Sequence, residues 1–169
     1  MPASDPRPAT AHLDEIEDGG LEHGARYAAR WKSLTNAISL YQIGARLVSV
    51  PPGKTAWPFH RHLANEELCI IVSGEGEARI GEERIPVRAG HATAHPERGP
   101  AHQLINTGRE PLVYWCISTM IDPDTFEYPD SGKWGVIGGD APPGRLGPRE
   151  ISVWFYPDKA GVDYYDAED

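Results

Sequence analysis

The fold of this chain is decided by one stretch, Gly53-Lys54-Thr55-Ala56-Trp57-Pro58-Phe59-His60-Arg61-His62-Leu63-Ala64-Asn65-Glu66-Glu67. Within it, two histidines stand one residue apart, and a glutamate follows five positions after the second. Side chains at i and i+2 of a β-strand point to the same face, so His60 and His62 can present two imidazoles to one point. Glu67 lies across a short bend and can return to that point.

A third histidine, His102, follows a Gly-Pro-Ala turn further along the chain. Three neutral imidazole nitrogens and one carboxylate make a mixed nitrogen and oxygen donor set. Such a set suits Fe, Mn, Ni, Co or Zn better than Ca or Mg. We therefore predict one divalent transition metal, of undetermined identity, bound by His60, His62, Glu67 and His102. Four ligands leave open positions on an octahedral ion, as a catalytic metal requires.

The spacing of these residues resembles the two motifs of the cupin superfamily. The first motif is matched by Gly53, six residues, His60-x-His62, four residues, Glu67, six residues and Gly74. The second is matched by Gly90, five residues, Pro96, two residues, Gly99, two residues, His102, three residues and Asn106. Each match contains one residue more than the family pattern, in a loop both times. The resemblance implies a cupin jelly-roll barrel and the four metal ligands named above.

The remainder of the chain also favours an all-β fold. Short apolar runs with Gly and Pro punctuation are typical of a sandwich or barrel, and we place them at 45–50, 67–73, 77–80, 83–87, 91–95, 102–106, 112–120 and 152–156. We expect short helical turns within 11–20 and 24–31. The predicted organisation is a disordered tail at 1–10, a barrel core at 34–120, and a loop-and-strand extension at 121–169. We expect this irregular extension to pack on the barrel as part of the same domain.

Composition restricts the function classes. The chain of 169 residues carries a formal net charge of −9 and no Lys/Arg run, which argues against nucleic acid and anionic membrane as partners. No apolar stretch approaches the roughly 20 residues of a spanning helix, and no secretory signal is visible. We expect a cytoplasmic protein. Cys69 and Cys116 lie in apolar runs, which favours two buried reduced thiols, with a disulfide between them as the alternative.

The predicted strand 67–73 indicates an oligomer. Counting by two from Glu67 places Cys69 and Ile71 on the side of the metal ligands, and Leu68, Ile70 and Val72 on the other side. A strand that is apolar on both faces is buried on both, or it lies at a subunit interface. Since two-fold dimers are the commonest closed assembly, we expect a homodimer.

Two further residues are candidates for a role in catalysis. His95 precedes His102 on a neighbouring strand and could act as a general base, although a structural histidine is the commoner case. Arg98 lies in the loop before His102 and could meet an anionic substrate at the barrel mouth. Glu66 is the only other nearby carboxylate, and strand alternation points it away from the site.

The reaction is less constrained than the fold, because one fold hosts many chemistries. Within the cupin superfamily the chain is most similar to small bacterial proteins described as sugar-phosphate (mannose-6-phosphate-like) isomerases. The resemblance implies a metal-dependent enzyme that acts on a small polar substrate, sugar-phosphate-like or carboxylate-like. The alternatives are an oxygenase or decarboxylase, a non-catalytic module that binds a small ligand, and a barrel in which the metal only stabilises the fold.

Overall fold

A computed structural model describes residues 7–139, 151–157, 159–162, 165 and 167. Strands dominate these residues, and the helical elements are a 3-10 turn, Leu13–Glu15, and one short helix, α1, Leu34–Ala37. In chain order the strands are β1 Asp18–His23, β2 Tyr27–Ser33, β3 Ile43–Val50, β4 Arg61–His62, β5 Glu67–Ser73, β6 Glu75–Ile80, β7 Glu83–Arg88, β8 Ala92–His95, β9 His102–Ile105, β10 Leu112–Thr119, β11 Asp124–Tyr128, β12 Lys133–Gly138, β13 Ile151–Tyr156 and β14 Lys159–Val162. The predicted all-β class is confirmed.

The strands form three antiparallel sheets. The largest has the order β1-β2-β3-β10-β5-β8, the second β14-β13-β12-β11-β4, and the third β7-β6-β9. Two isolated bridges, His60 to His102 and Thr55 to Ile105, connect the first motif to β9. Because each sheet also pairs strands that are distant in sequence, such as β3 with β10 and β4 with β11, residues that are far apart in sequence come to line one interior.

Paired residues in the largest sheet divide its inner face into rows. Tyr114 lies between Val48 and Ile71, all of them buried, and this row is part of the hydrophobic core. The next row along the strands contains Arg46, Cys116, Cys69 and Thr93, and the row beyond it contains Gly44, Ser118, Glu67 and His95. The inner face therefore changes from apolar to polar along the strands, and the polar end carries the predicted metal ligand.

Strand β5 shows the alternation that the sequence predicted. Cys69 and Ile71 are buried, whereas Leu68, Ile70 and Val72 are 38%, 37% and 49% exposed. Both Cys69 and Cys116 are buried free thiols, so the favoured expectation for them is confirmed.

The helical turn expected within 24–31 is wrong. Residues from Tyr27 onward form β2, which pairs with β1 on one side and with β3 on the other. The segment is rich in Ala and Arg, which favour helices, but Tyr27 and Ala29 alternate toward the core. Burial of that face outweighs the local helix propensity. Within 11–20, the 3-10 turn at Leu13–Glu15 is followed directly by β1.

The expectation of an irregular segment after residue 120 is also wrong. Residues 124–128 and 133–138, expected as loop, are the antiparallel strands β11 and β12, and β11 pairs with β4 through Phe126 and His62. The Asp-Pro-Asp and Gly-rich sequences favour turns, and here they flank the two strands of a hairpin, of which β11 also pairs with the distant β4.

The predicted tail at 1–10 falls partly outside the described residues. Within the described part, the backbone carbonyls of Arg7 and Pro8 accept hydrogen bonds from Ser39, and the Arg7 side chain donates to the Leu40 carbonyl. These two residues are therefore ordered against the loop that follows α1.

Candidate metal centre

Four predicted ligands converge in the structure. His60 immediately precedes β4, and His62 is the second residue of that strand. Glu67 begins β5 and His102 begins β9. One ligand atom from each of the four side chains lies within 4.8 Å of the others. The arrangement depends on a backbone bridge in which the His60 and His102 amides each donate to the other's carbonyl, at 3.2 and 2.7 Å.

Hydrogen bonds outside the cluster orient two of the imidazoles. His60 Nδ1 lies 2.8 Å from the Pro58 carbonyl, and His62 Nδ1 lies 2.6 Å from Oδ2 of Asp124. Carbonyl and carboxylate oxygens can only accept a hydrogen bond, so Nδ1 of each histidine carries the proton and donates the bond. Each ring therefore turns its other nitrogen, Nε2, toward the cluster, as metal-bound histidines commonly do.

The carboxylate of Glu67 contacts two histidines of the cluster, His102 and His62. Its Oε2 lies 2.9 Å from His102 Nε2 and 3.7 Å from His62 Nε2. Burial raises the pKa of Glu67, but His62 and His102 outweigh this effect and bring it well below its usual range. The group is therefore a carboxylate at physiological pH, the form that binds a metal ion.

The histidines differ in their charge. Burial, together with the neighbouring His102 and His62, lowers the pKa of His60 to about 3. Burial also lowers the pKa of His62, but Glu67 and Asp124 outweigh it and raise the value to about 9. Without a metal, His60 is neutral at pH 7, whereas His62 is protonated.

The donor set fits a divalent ion. His62 Nε2 is buried and, among the residues that the structure describes, has no partner within hydrogen-bond distance. A buried N–H whose acceptor, Glu67 Oε2, lies 3.7 Å away is poorly satisfied and costly, and a divalent cation in place of its proton removes that cost. Neutral imidazoles and one carboxylate are ligands for Fe, Mn, Ni, Co or Zn.

Metal binding should therefore release protons. Since the His62 pKa is about 9 and His60 and Glu67 are already deprotonated, we expect His62 to release about one proton per metal ion at pH 7. The association constant should rise about tenfold per pH unit up to pH ~9 and then level off. Acidification should correspondingly strip the metal. Calorimetric titration with zinc in buffers of different ionisation enthalpy measures the released proton directly. A constant affinity between pH 6 and 9 would contradict this assignment.

His95 packs against the cluster through the ring of His102. Its ring stacks on that of His102, with centroids 3.8 Å apart and planes 12° apart. Its Nε2 lies 3.0 Å from Thr93 Oγ1, and its buried Nδ1 has no hydrogen-bond partner among the described residues. Burial, with a contribution from His102, lowers the His95 pKa to about 3, so this imidazole is neutral.

The other sequence candidates lie further out. Arg98 is exposed, and its Nε donates to the Leu63 carbonyl at 3.3 Å. Glu66 is exposed and faces outward, as strand alternation predicted. Neither residue lines the cavity beside the cluster.

Sequence reasoning missed Asp124. This residue is 2% exposed, and besides the bond to His62 its Oδ1 accepts from the Ala64 and Thr125 amides at 3.1 and 2.9 Å. It lies in the Asp122-Pro123-Asp124 sequence, which reads as a turn. Only the pairing of β11 with β4 brings it next to a ligand, so no local signal could have identified it.

A cavity of about 30 Å³ adjoins the inner side of the cluster. It is lined by His60, Glu67 and His102 together with Thr55, Trp57, Pro58, Cys69, Gln103, Leu104, Tyr114 and Cys116. Thr55 Oγ1 donates to the Leu104 carbonyl and Gln103 Nε2 to the Trp57 carbonyl, both within the wall. The cavity is therefore a small space with room for about one or two water-sized groups.

Comparisons with known proteins agree with this picture. Residues 46–118 match the family model described as cupin domain. The crystal structure of a candidate sugar phosphate isomerase from Acidithiobacillus ferrooxidans is 26% identical, covers 75% of this chain and 82% of its own, and superposes with a TM-score of 0.69. No curated protein sequence matches the chain.

Two more solved structures share the fold at lower identity. A sugar phosphate isomerase of the cupin superfamily from Silicibacter pomeroyi is 21% identical over 91% of this chain and 96% of its own, with a TM-score of 0.76. A predicted oxalate decarboxylase from Thermotoga maritima is 20% identical over 66% and 99%, with a TM-score of 0.58. The motif spacing, the β-sheet fold and the family match over residues 46–118 agree: this segment is similar to cupin domains of the jelly-roll type, and the chain is similar to a candidate sugar phosphate isomerase.

Proposed function

We propose that this protein is a metal-dependent enzyme of the sugar phosphate isomerase type, acting on a small polar substrate. The observation that carries the proposal is the convergence of three imidazoles and one carboxylate, with ligand atoms within 4.8 Å of one another. The 26% identity to the candidate sugar phosphate isomerase from A. ferrooxidans supports the reaction class. When bound, a divalent ion at this site would polarise a carbonyl or hydroxyl oxygen of the substrate as a Lewis acid.

Side chains and backbone around the metal centre would orient its histidine ligands and move the substrate's proton. Pro58 and Asp124 fix the protonated nitrogens of His60 and His62, so both rings keep one orientation. An isomerisation also needs a base that moves a proton between neighbouring carbons. In this proposal the base is His95, whose ring stacks on that of His102. Its buried Nδ1 has no partner among the described residues, and it can accept a proton in the tautomer in which Nε2–H donates to Thr93 Oγ1.

The size of the inner cavity favours a second candidate function. A space of about 30 Å³ beside Glu67 and His102 is too small for a sugar, so a sugar phosphate would have to reach the cluster from the opposite side. A single carboxylate group of a small acid is closer to this size, which supports a decarboxylase or oxygenase as the second candidate.

An activity screen separates these candidates. Protein loaded in turn with Mn, Fe, Co, Ni or Zn is incubated with fructose 6-phosphate or mannose 6-phosphate, and interconversion is followed by NMR. Oxalate and malate are tested in parallel for carbon dioxide release and for oxygen consumption under air. We expect aldose–ketose interconversion that disappears in Glu67→Gln. Turnover of the acids alone would favour the second candidate, and ligand binding without any turnover would replace both with a binding module.

We also propose that the protein is a homodimer. Leu68, Ile70 and Val72 form an exposed apolar stripe on the outer face of β5. Trp115 and Ile117 extend it, because they pair with Ile70 and Leu68. Contiguous exposed apolar surface commonly marks a partner site.

The stripe allows a direct test of the dimer. Light scattering at micromolar concentration should give the dimer mass for the natural protein and the monomer mass for Ile70→Lys. The matched control is Ile85→Lys, at an exposed isoleucine of β7 in a different sheet, which should stay dimeric. A monomer mass for the unmodified protein would contradict the proposal.

A further inference from the structure

Arg46 is an arginine on the inner face of β3. It has the same parity along the strand as Val48 and Val50, both of which are fully buried. Its cross-strand partner is Cys116, which in turn pairs with Cys69, and both thiols are buried. Because paired residues of a sheet share a face, Arg46 starts from the inner face of the sheet, where its side chain is half-buried.

The guanidinium has no acidic partner. Over the described residues, Arg46 makes no salt bridge or hydrogen bond, and its contact is with the Trp57 ring, whose centroid lies 5.2 Å from the guanidinium carbon. Such stacking holds a guanidinium in place while leaving its N–H donors available. Half-buried arginines without a carboxylate are unusual, since this side chain is seldom buried unless paired.

Four other basic residues near the two motifs are already engaged. Arg61 pairs with Glu127, Arg79 with Asp130, and the Lys54 ammonium donates to the Ala25 carbonyl. Arg98 binds the Leu63 carbonyl on the outside. These contacts distinguish Arg46 from the cations that adjoin the motifs in sequence.

The position of Arg46 relates it to the cluster and its cavity. Trp57, on which it stacks, lines the cavity together with His60 and Glu67. Burial raises the pKa of Tyr114, another residue of the cavity wall, and the charge of Arg46 opposes that rise. Arg46 is two strands and one row away from Glu67, so their Cα atoms are about 12 Å apart. Two side chains with a small ligand between them can span that distance.

We propose that Arg46 is a substrate-binding residue that receives a carboxylate or phosphate group of the ligand held at the metal centre. Planar guanidinium groups bind both of these anions in a bidentate manner. The inference rests on the proposed function, because it assumes that a ligand binds at the cluster. It replaces Arg98 with Arg46 as the residue that recognises an anionic substrate.

Two pairs of probes test this role and distinguish the two anions. Malate is compared with 2-hydroxybutyrate, which has a methyl group in place of the second carboxylate, and fructose 6-phosphate is compared with fructose. Affinities are measured by calorimetry on zinc-loaded protein after the zinc content has been checked. We expect the member with the additional anionic group, malate or fructose 6-phosphate, to bind about tenfold more tightly in at least one pair. Arg46→Gln should abolish that preference and leave zinc content unchanged, and Arg46→Lys should retain part of it.

Two further variants serve as comparisons. Arg30→Gln removes an exposed charge from the outer face of neighbouring β2 and should leave the preference intact, as should Arg98→Gln. The inference is overturned if Arg46→Gln keeps the preference, if only Arg98→Gln loses it, or if neither malate nor fructose 6-phosphate binds better than the counterpart that lacks its additional anionic group. Failure of the proposed function has a different signature, namely absence of zinc or of binding by all four probes.

Discussion

Replacing His62 with alanine is expected to remove most of the bound metal. The imidazole supplies one of four converging donors, and three ligands hold a borderline divalent ion much less well than four. The substitution also removes the His62 Nδ1–H that donates to Oδ2 of Asp124, a residue that is only 2% exposed. Loss of that partner costs about 1–3 kcal/mol of folding stability. Metal per chain, measured by elemental analysis after dialysis at pH 8, should fall more than tenfold.

The control for this experiment is His91→Ala. His91 is exposed, and its Nδ1 contacts the backbone of Arg88, so its removal should leave metal content and stability unchanged. Circular dichroism shows whether His62→Ala is folded, and Glu67→Ala provides a second variant of the cluster. If both cluster variants retain a full equivalent of metal, the site assignment is wrong.

The ligand set could be predicted because its geometry is largely local. The i, i+2 relation of His60 and His62 needs only a strand, and Gly and Pro punctuation marks the turns around it. Gly74, which closes the first motif, has a φ of 80° and lies against the Pro111 backbone, so a side chain there would be strained. Such steric requirements act over a few residues, and they are therefore visible in the sequence.

The residues around the ligands depend on pairings between distant segments. Asp124 reaches His62 only because β11 joins β4, and the segment that contains it reads as loop. Arg46 could have been suspected, since it shares parity with Val48 and Val50, but parity does not say which row of the barrel lies near the metal. Its neighbours Cys116 and Cys69 come from two other strands. Contacts of this range are set by topology and not by local propensity.

Replacing Asp124 with asparagine is expected to weaken metal binding by about 10- to 100-fold, the usual effect of removing a carboxylate that orients a ligating histidine. Asparagine keeps the shape of the side chain, and its oxygen can still accept from Ala64 and Thr125. It removes the charge that helps to raise the His62 pKa to about 9. A lower His62 pKa reduces competition by protons at pH 7, and this gain partly offsets the weaker binding. Above pH 9 the proton no longer competes, so the loss of affinity should grow with pH.

Competition between the protein and a zinc chelator at pH 6.5 and at pH 9 measures both parts of this expectation. The matched control is Glu127→Gln on the same strand, because Glu127 pairs with Arg61 and faces away from His62. We expect that control to bind zinc within about twofold of the natural protein. Proton release at pH 7 should fall below one per zinc in Asp124→Asn alone, a change that a purely structural defect would not produce. Unchanged affinity at pH 9 in Asp124→Asn would show that His62 keeps its orientation without this carboxylate.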